Sequence, residues 1–299
     1  MLASVRALIH PTLQLCRIPN VFTAMSNVVA GVVLARGGEF KLSDMRVVLA
    51  SALLYIAGMV LNDFFDRKID AIERPTRPIP SGRISASGAL IFGIVLVAGA
   101  GILLAPLPCA VQAVGVALAW AILLYDTWLK NTPMGIVSMG LCRTLNVLLG
   151  FAIVPWPATW MWALPIGLGI YTAAITYLAR DEVIGQSLKR CASAAYFMLF
   201  LYVAFVAYLS VLSPARELET FLLAMPFLLF VGYRGLRLFR PLLSDFSGPT
   251  VGRAIGGGIL LMPGIDAAVL ACAGYPIWAL VALALRFPSM WLKRRYYMT

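Results

Sequence analysis

Long apolar runs separated by short charged or Pro/Gly-rich breaks set the pattern of this chain. They fall near 15–36, 45–65, 85–105, 107–125, 134–154, 160–180, 191–212 and 218–239, with two shorter runs near 254–272 and 275–292. Most are about 18 to 25 residues long, the length a helix needs to cross ~30 Å of hydrocarbon. None has the short alternating pattern of a membrane β-barrel. The pattern predicts an all-α membrane protein with nine or ten crossings, a single transmembrane domain over 1–299. The last two runs read either as two crossings or as one broken crossing plus an interfacial helix. The first run is longer than a signal-peptide core, so it is expected to be retained.

Composition agrees: 61% of the 299 residues are hydrophobic and 12% charged, with a mean hydropathy of +0.89, which excludes a water-soluble domain of this length. The net charge of +11 does not point to nucleic acid, because the basic residues sit between the apolar runs. They follow the second run (Arg67, Lys68, Arg74, Arg77, Arg83), the sixth (Arg180, Lys189, Arg190) and surround the eighth (Arg234, Arg237, Arg240, Arg253). Short cytoplasmic loops collect Lys and Arg, so the N-terminus and every basic loop are expected on the cytoplasmic side of a bacterial-type inner membrane. The five cysteines (Cys16, Cys109, Cys142, Cys191, Cys272) are isolated in apolar stretches and read as small core residues. The single His10 leaves little for histidine chemistry.

The chemistry gathers where the second run ends, at Asn62-Asp63-Phe64-Phe65-Asp66-Arg67-Lys68-Ile69-Asp70. At about 100° per residue, Asp63, Asp66 and Asp70 share one helical face. Three like charges on one stripe repel unless a cation lies between them, and hard oxygen ligands at a helix mouth suit Mg²⁺, which keeps part of its water and takes substrate phosphate oxygens as further ligands. The next segment, Glu73 to Arg83, interleaves Arg74, Arg77 and Arg83 with Pro75, Pro78 and Pro80, a stiff non-helical loop able to hold guanidinium groups near the carboxylates. Carboxylates for a metal beside arginines for oxyanions describe a diphosphate site. A solvated acidic turn beside a positive-inside loop accounts for the charges but not for the Pro-Arg interleaving.

Asn62 to Ser85 resembles the signature of the UbiA superfamily, Asn-Asp-x-x-Asp-x-x-x-Asp followed by a turn close to Arg-Pro-Ile-Pro-Ser-Gly-Arg-Ile-Ser. The resemblance implies a helical membrane prenyltransferase with about nine spans around a central cavity. Such an enzyme moves a prenyl group from an isoprenyl diphosphate to an aromatic or other ring or lipid-like acceptor, with Mg²⁺, in contact with membrane lipid. It implies metal ligation by Asn62, Asp63, Asp66 and Asp70, and catalytic roles for Asp63, Asp66 and Lys130; a catalytic role is expected of Arg180 too, from its charge rather than from the resemblance. Diphosphate or acceptor binding is expected of Asn62, Arg74, Arg77, Arg83 and Lys130, and, on the placement of their polar groups, of Arg143, Asn146, Asp181 and Lys189. Tyr125 and Lys130 are similar to the family's Tyr-x-x-x-Lys element, one residue further apart. Arg143 and Asn146, three apart in an apolar run, are expected to face a polar cavity because a charge there is otherwise costly. Arg17 and Asn20 stand near the cytoplasmic end of the first run, facing either the acceptor or the headgroups. Phe64, Tyr125, Trp128 and Tyr177 are candidates for shielding an allylic cation.

The sequence departs from the family after the sixth run. A second acidic motif, with carboxylates about four apart, is replaced by Arg180-Asp181-Glu182, whose adjacent carboxylates diverge on a helix; this run resembles a branch of the family found in ebo-type gene clusters. Either Arg180 and Lys189 offset diphosphate charge directly, or the fold has become a binder or carrier of an isoprenoid or aromatic molecule. A CDP-alcohol phosphotransferase does not fit, because the Asp-Gly and Ala-Arg order it needs is missing around Asp63.

Overall fold

The computed structural model describes residues 2–155, 158–184, 218–245, 247–293 and 296. Among them there are helices and connecting turns but no strand. The helices are α1 (Leu2–Leu15), α2 (Ile18–Ala35), α3 (Met45–Glu73), α4 (Ala86–Leu104), α5 (Cys109–Leu124), α6 (Met134–Phe151), α7 (Ala163–Ile184), α8 (Leu218–Phe239), α9 (Gly248–Ile259), α10 (Met262–Cys272), α11 (Pro276–Ala284) and α12 (Arg286–Lys293). Eight helical stretches among the described residues are long and apolar enough to cross a membrane, α9 and α10 together forming one of them. They match the expected runs one for one as far as α10, except that the run at 191–212 lies outside the described residues. The run at 275–292 becomes two short helices, α11 and α12, the first opening at Pro276.

Burial sorts the helices by composition. The α2 stretch is 78% buried and the α9–α10 stretch 89%, whereas those of α4 and α8 are 22% buried. α4 is apolar all round and turns Ile91, Ile94, Val95 and Ile102 outward, as a helix bathed in hydrocarbon does. α2 carries Asn20, Thr23, Ser26 and Asn27, all buried, and needs neighbours with polar partners. Asn27 Nδ2 and Ser26 Oγ donate to Asp266 Oδ2 on α10 at 2.7 and 2.6 Å. Asn146 on α6 ties three helices, accepting from Ser51 Oγ of α3 at 2.6 Å and donating to the Ala24 carbonyl of α2 at 3.0 Å. Lipid offers no hydrophobic drive between helices, so such bonds and close backbone contact hold the bundle. The backbones come close where Gly31 of α2 meets Gly150 of α6: a Cβ on Gly31 would lie 2.7 Å from the Val147 carbonyl oxygen.

Two departures from helical continuity position the site. Pro19 sits in the first turn of α2, and Arg17 before it takes a left-handed conformation (φ 43°) that separates α1 from α2, so the first crossing begins at Ile18 rather than 15. α3 has 29 residues and, at ~1.5 Å per residue, is about 43 Å long, well beyond the ~30 Å of hydrocarbon. The excess of about 13 Å leaves room for the end that carries the carboxylate stripe, its last three turns from Asp63 to Glu73, to reach the edge of the apolar core.

Candidate active site

The loop after α3 folds back onto it. Turn bonds Arg77 N to Arg74 O, Ser81 N to Arg77 O and Ile84 N to Pro78 O, each 3.0 Å, close the segment. Ile79 packs into a small apolar cluster with Leu15, Cys16, Val60 and Ala89. Burying Ile79 carries Arg77 inward, where it is only 6% exposed. Arg77 Nη1 donates to Asp63 Oδ1 at 3.2 Å and to Asp70 Oδ2 at 2.7 Å, bridging the outer members of the stripe. From the α1–α2 break, Arg17 Nη2 donates to the same Asp63 Oδ1 at 2.9 Å. Asp66 pairs with Lys130. The three expected carboxylates thus share one face, and each meets a cation of the protein.

Lys130 arrives through an irregularity. Residues Tyr125–Leu129 form a π-helical turn, closed by Lys130 N donating to the Tyr125 carbonyl at 3.0 Å. One residue is added without breaking the helix, which absorbs the longer Tyr-to-Lys spacing: Tyr125 lines a cavity and Lys130 still reaches Asp66. The same turn directs Asp126 inward, 3% exposed, and Trp128 outward, 75% exposed. Asn62 Nδ2 donates to Asp126 Oδ1 at 2.9 Å.

Beneath this polar end, between α3, α5, α6 and α7, lies a small, largely apolar cavity of about 80 Å³ whose wall includes Tyr55, Met59, Tyr125, Asp126 and Arg143. Met59 also accepts from Arg17 Nη1 at 3.4 Å, so the charged cluster and the cavity adjoin.

Several expected site residues are engaged elsewhere. Arg180 donates to the backbone carbonyls of Thr132, at 2.6 Å, and of Lys130. It braces the turn that carries Lys130 and does not face the carboxylates. Arg83 holds Ser81 Oγ at 2.9 Å, Gln14 Oε1 at 3.1 Å and the Thr76 carbonyl, tying its loop to α1. Arg74 is exposed. Arg143 does face the cavity, as expected, but Nη1 donates to Asn27 Oδ1 at 2.8 Å, mid-bundle. Asn146 reaches the cavity wall with both amide atoms already bonded to α2 and α3. Of the aromatic candidates, Tyr125 lines the cavity, Phe64 lies under the Arg67 guanidinium with 4.4 Å to the ring centre, and Tyr177 lines a separate groove between α6 and α7. Tyr55 is a cavity aromatic that the sequence did not suggest. The side chain of Asp181 and all of Lys189 lie outside the described residues. Cys16 is buried, and burial pushes its thiol up to about 12, in line with an inert core cysteine.

Among the described residues no three carboxylate, histidine or cysteine side chains close around one point, because Arg77 and Lys130 stand among the aspartates. The donor chemistry nevertheless fits a hard divalent ion: the groups on offer are carboxylate and amide oxygens, and Asp63 Oδ2 is buried with no hydrogen-bond partner among the described residues. Two residues were under-read in the sequence, Arg17 and Asp126. Both were visible as ionisable residues in or beside apolar runs, which is the signal of a functional position in a membrane.

A family profile for UbiA prenyltransferases matches residues 24–245. The chain belongs to the UbiA prenyltransferase family. It is an integral membrane protein. A digeranylgeranylglyceryl phosphate synthase of Methanopyrus kandleri is 29% identical over 216 residues, 69% of this chain and 78% of that protein. One from Methanospirillum hungatei is 43% identical over 103 residues, 32% of this chain and 35% of that protein. The protoheme IX farnesyltransferase of Acidiphilium cryptum is 36% identical over 129 residues, 41% of this chain and 40% of that protein. The last two matches thus span less than half the relatives' lengths. A solved structure described as a digeranylgeranylglyceryl phosphate synthase in membranes superposes with a TM-score of 0.64 at 20% identity, covering 89% of this chain and all but 1% of its own. A UbiA homologue from Archaeoglobus fulgidus bound to DMAPP and Mg²⁺ gives 0.59 at 13% identity, covering 94% and 99%. These likenesses establish the UbiA fold for this chain.

Proposed function

We propose that this protein transfers a prenyl group from an isoprenyl diphosphate to an acceptor within the membrane, with Mg²⁺, at a site open to the cytoplasm. One observation carries the reading: the Asp63, Asp66 and Asp70 stripe interleaved with Arg17, Arg77 and Lys130 at the mouth of an apolar cavity. Asp63, Asp66 and Asp70, with Asn62 in support, would hold Mg²⁺, which when bound supplies positive charge to the leaving diphosphate. The guanidinium groups of Arg17 and Arg77 and the ammonium of Lys130 supply further fixed charge, already oriented by the aspartates, where the leaving oxygens become more negative. Tyr55 and Tyr125 line the cavity where the carbon side of the breaking bond would lie, and their ring faces stabilise positive charge there. The apolar wall keeps water from that carbon. The acceptor attacks it directly, so no protein nucleophile is required.

The acceptor is read as an aromatic or other ring, the class to which a protohaem belongs. A second reading is favoured by the other relatives, which are digeranylgeranylglyceryl phosphate synthases: a glyceryl phosphate that already carries one geranylgeranyl group and offers its remaining hydroxyl. The deciding experiment supplies the purified protein with labelled geranylgeranyl diphosphate, Mg²⁺ and a panel containing both acceptor classes, beside an Asp63→Ala control. Product that disappears with EDTA and in the control supports transfer. Binding of the diphosphate without turnover on any acceptor would overturn it in favour of a carrier.

A further inference from the structure

Among the described residues Asp126, unlike Asp63, Asp66 and Asp70, forms no ion pair with an arginine or lysine, and it faces the cavity. It is 3% exposed. Oδ1 is fixed by Asn62 Nδ2 at 2.9 Å, while Oδ2 is buried with no hydrogen-bond partner among the described residues. A buried carboxylate oxygen without a donor is costly, so a site that keeps one is complete only when something else donates to it. The neighbours on the cavity wall do not: Thr172 Oγ1 donates to the Leu168 carbonyl at 2.7 Å, Asn146 spends its amide on Ala24, and Arg143 Nη1 turns to Asn27. The π-helical turn that opens at Tyr125 aims Asp126 here, and such turns recur at functional positions.

We propose that Asp126 Oδ2 accepts a hydrogen bond from a hydroxyl group of the acceptor molecule, making Asp126 a specificity-determining residue that selects alcohols and phenols over acceptors lacking an O–H. This rests on the prenyl-transfer reading, since it concerns the second substrate of that reaction. Asn62 acts as a positioning residue: its amide holds Oδ1, which leaves Oδ2 facing the cavity. An ionised carboxylate can only accept. An ether of the same shape therefore brings a lone pair against a lone pair, and a site built for a donor discriminates strongly against an analogue that lacks it.

Equilibrium binding separates this proposal from the question of turnover. The full chain in detergent micelles is titrated with two matched pairs: geranylgeranylglyceryl phosphate and its O-methyl ether, and 4-hydroxybenzoate and 4-methoxybenzoate. For at least one pair the hydroxyl compound is expected to bind about 10- to 100-fold more tightly, the range for a hydrogen bond to a charged group. Asp126→Asn keeps the size of the side chain and an oxygen for Asn62, but places an NH₂ where Oδ2 was. It is expected to abolish the preference, with KM for geranylgeranyl diphosphate and the Mg²⁺ concentration for half-activation unchanged within about twofold. No preference in the unsubstituted protein for either pair overturns the proposal, as does a preference that survives Asp126→Asn. So does a variant whose defect appears in the Mg²⁺ requirement, which would make Asp126 a metal ligand. A hydroxyl preference that depends on Asp126 in a protein with no turnover would remove the prenyl-transfer reading and overturn the acceptor assignment with it, leaving Asp126 as the hydroxyl-selecting group of a binding site.

Discussion

At Arg77 two carboxylates share one guanidinium, and Asp63 is held a second time by Arg17. Removing one partner of such a buried set leaves charge uncompensated in a medium that solvates it poorly. Arg77→Ala is expected to cost about 3 kcal/mol of stability, read by denaturant unfolding in micelles, and to raise KM for the prenyl diphosphate. Arg83→Ala removes a solvent-facing brace instead, and surface changes of that kind stay within about 0.5 kcal/mol. Asp63, Asp66 and Asp70 could be found from spacing alone, because helical periodicity fixes which side chains share a face. Their partners could not: Arg17 reaches Asp63 across 46 positions and Lys130 reaches Asp66 across 64. Which cation meets which carboxylate is decided by where helices cross, and no local pattern encodes that.

Arg180 shows the same limit for an element. Its place where the family has a carboxylate suggested a charge aimed at diphosphate, yet it braces the turn between the π-helical segment and α6 through two carbonyls. Arg180→Ala is therefore expected to act through Lys130. Hydrogen exchange should quicken across residues 129–133, and KM for the diphosphate should rise about tenfold with the Mg²⁺ requirement unchanged; a shifted Mg²⁺ requirement would refute this role. Close packing of helix backbones can be tested on two glycines set against each other. Gly31→Ala places a methyl 2.7 Å from a carbonyl oxygen of α6 and should destabilise by about 1–3 kcal/mol. Gly101→Ala on α4 meets nothing within 4 Å and should be neutral or stabilise by up to about 1 kcal/mol, since alanine is the better helix former. Both effects are read from the same denaturant series.

For the whole molecule, the loop after α3, the turn that carries Lys130 and the carboxylate stripe fall at one end of the bundle, and the turn between α4 and α5 at the other. Cys109, exposed at the start of α5, should react with a membrane-impermeant maleimide from outside intact cells. A cysteine replacing the exposed Thr76 should react only in inverted vesicles; the reverse pattern would overturn the cytoplasmic site. Much of this scale was set by the sequence: helical class, the crossings as far as α10, the polar end and the family motif all follow from run length, charge position and local spacing, because lipid permits few ways to satisfy a backbone. What only the tertiary structure decided is the inward or outward facing of each polar side chain. It turned Asp126 into the cavity and Trp128 away from it through one π-helical turn. It also committed Asn146 to packing and drew Arg77 inward with Ile79. Those outcomes depend on contacts between helices far apart in the chain, where burial and hydrogen-bond partners are settled together.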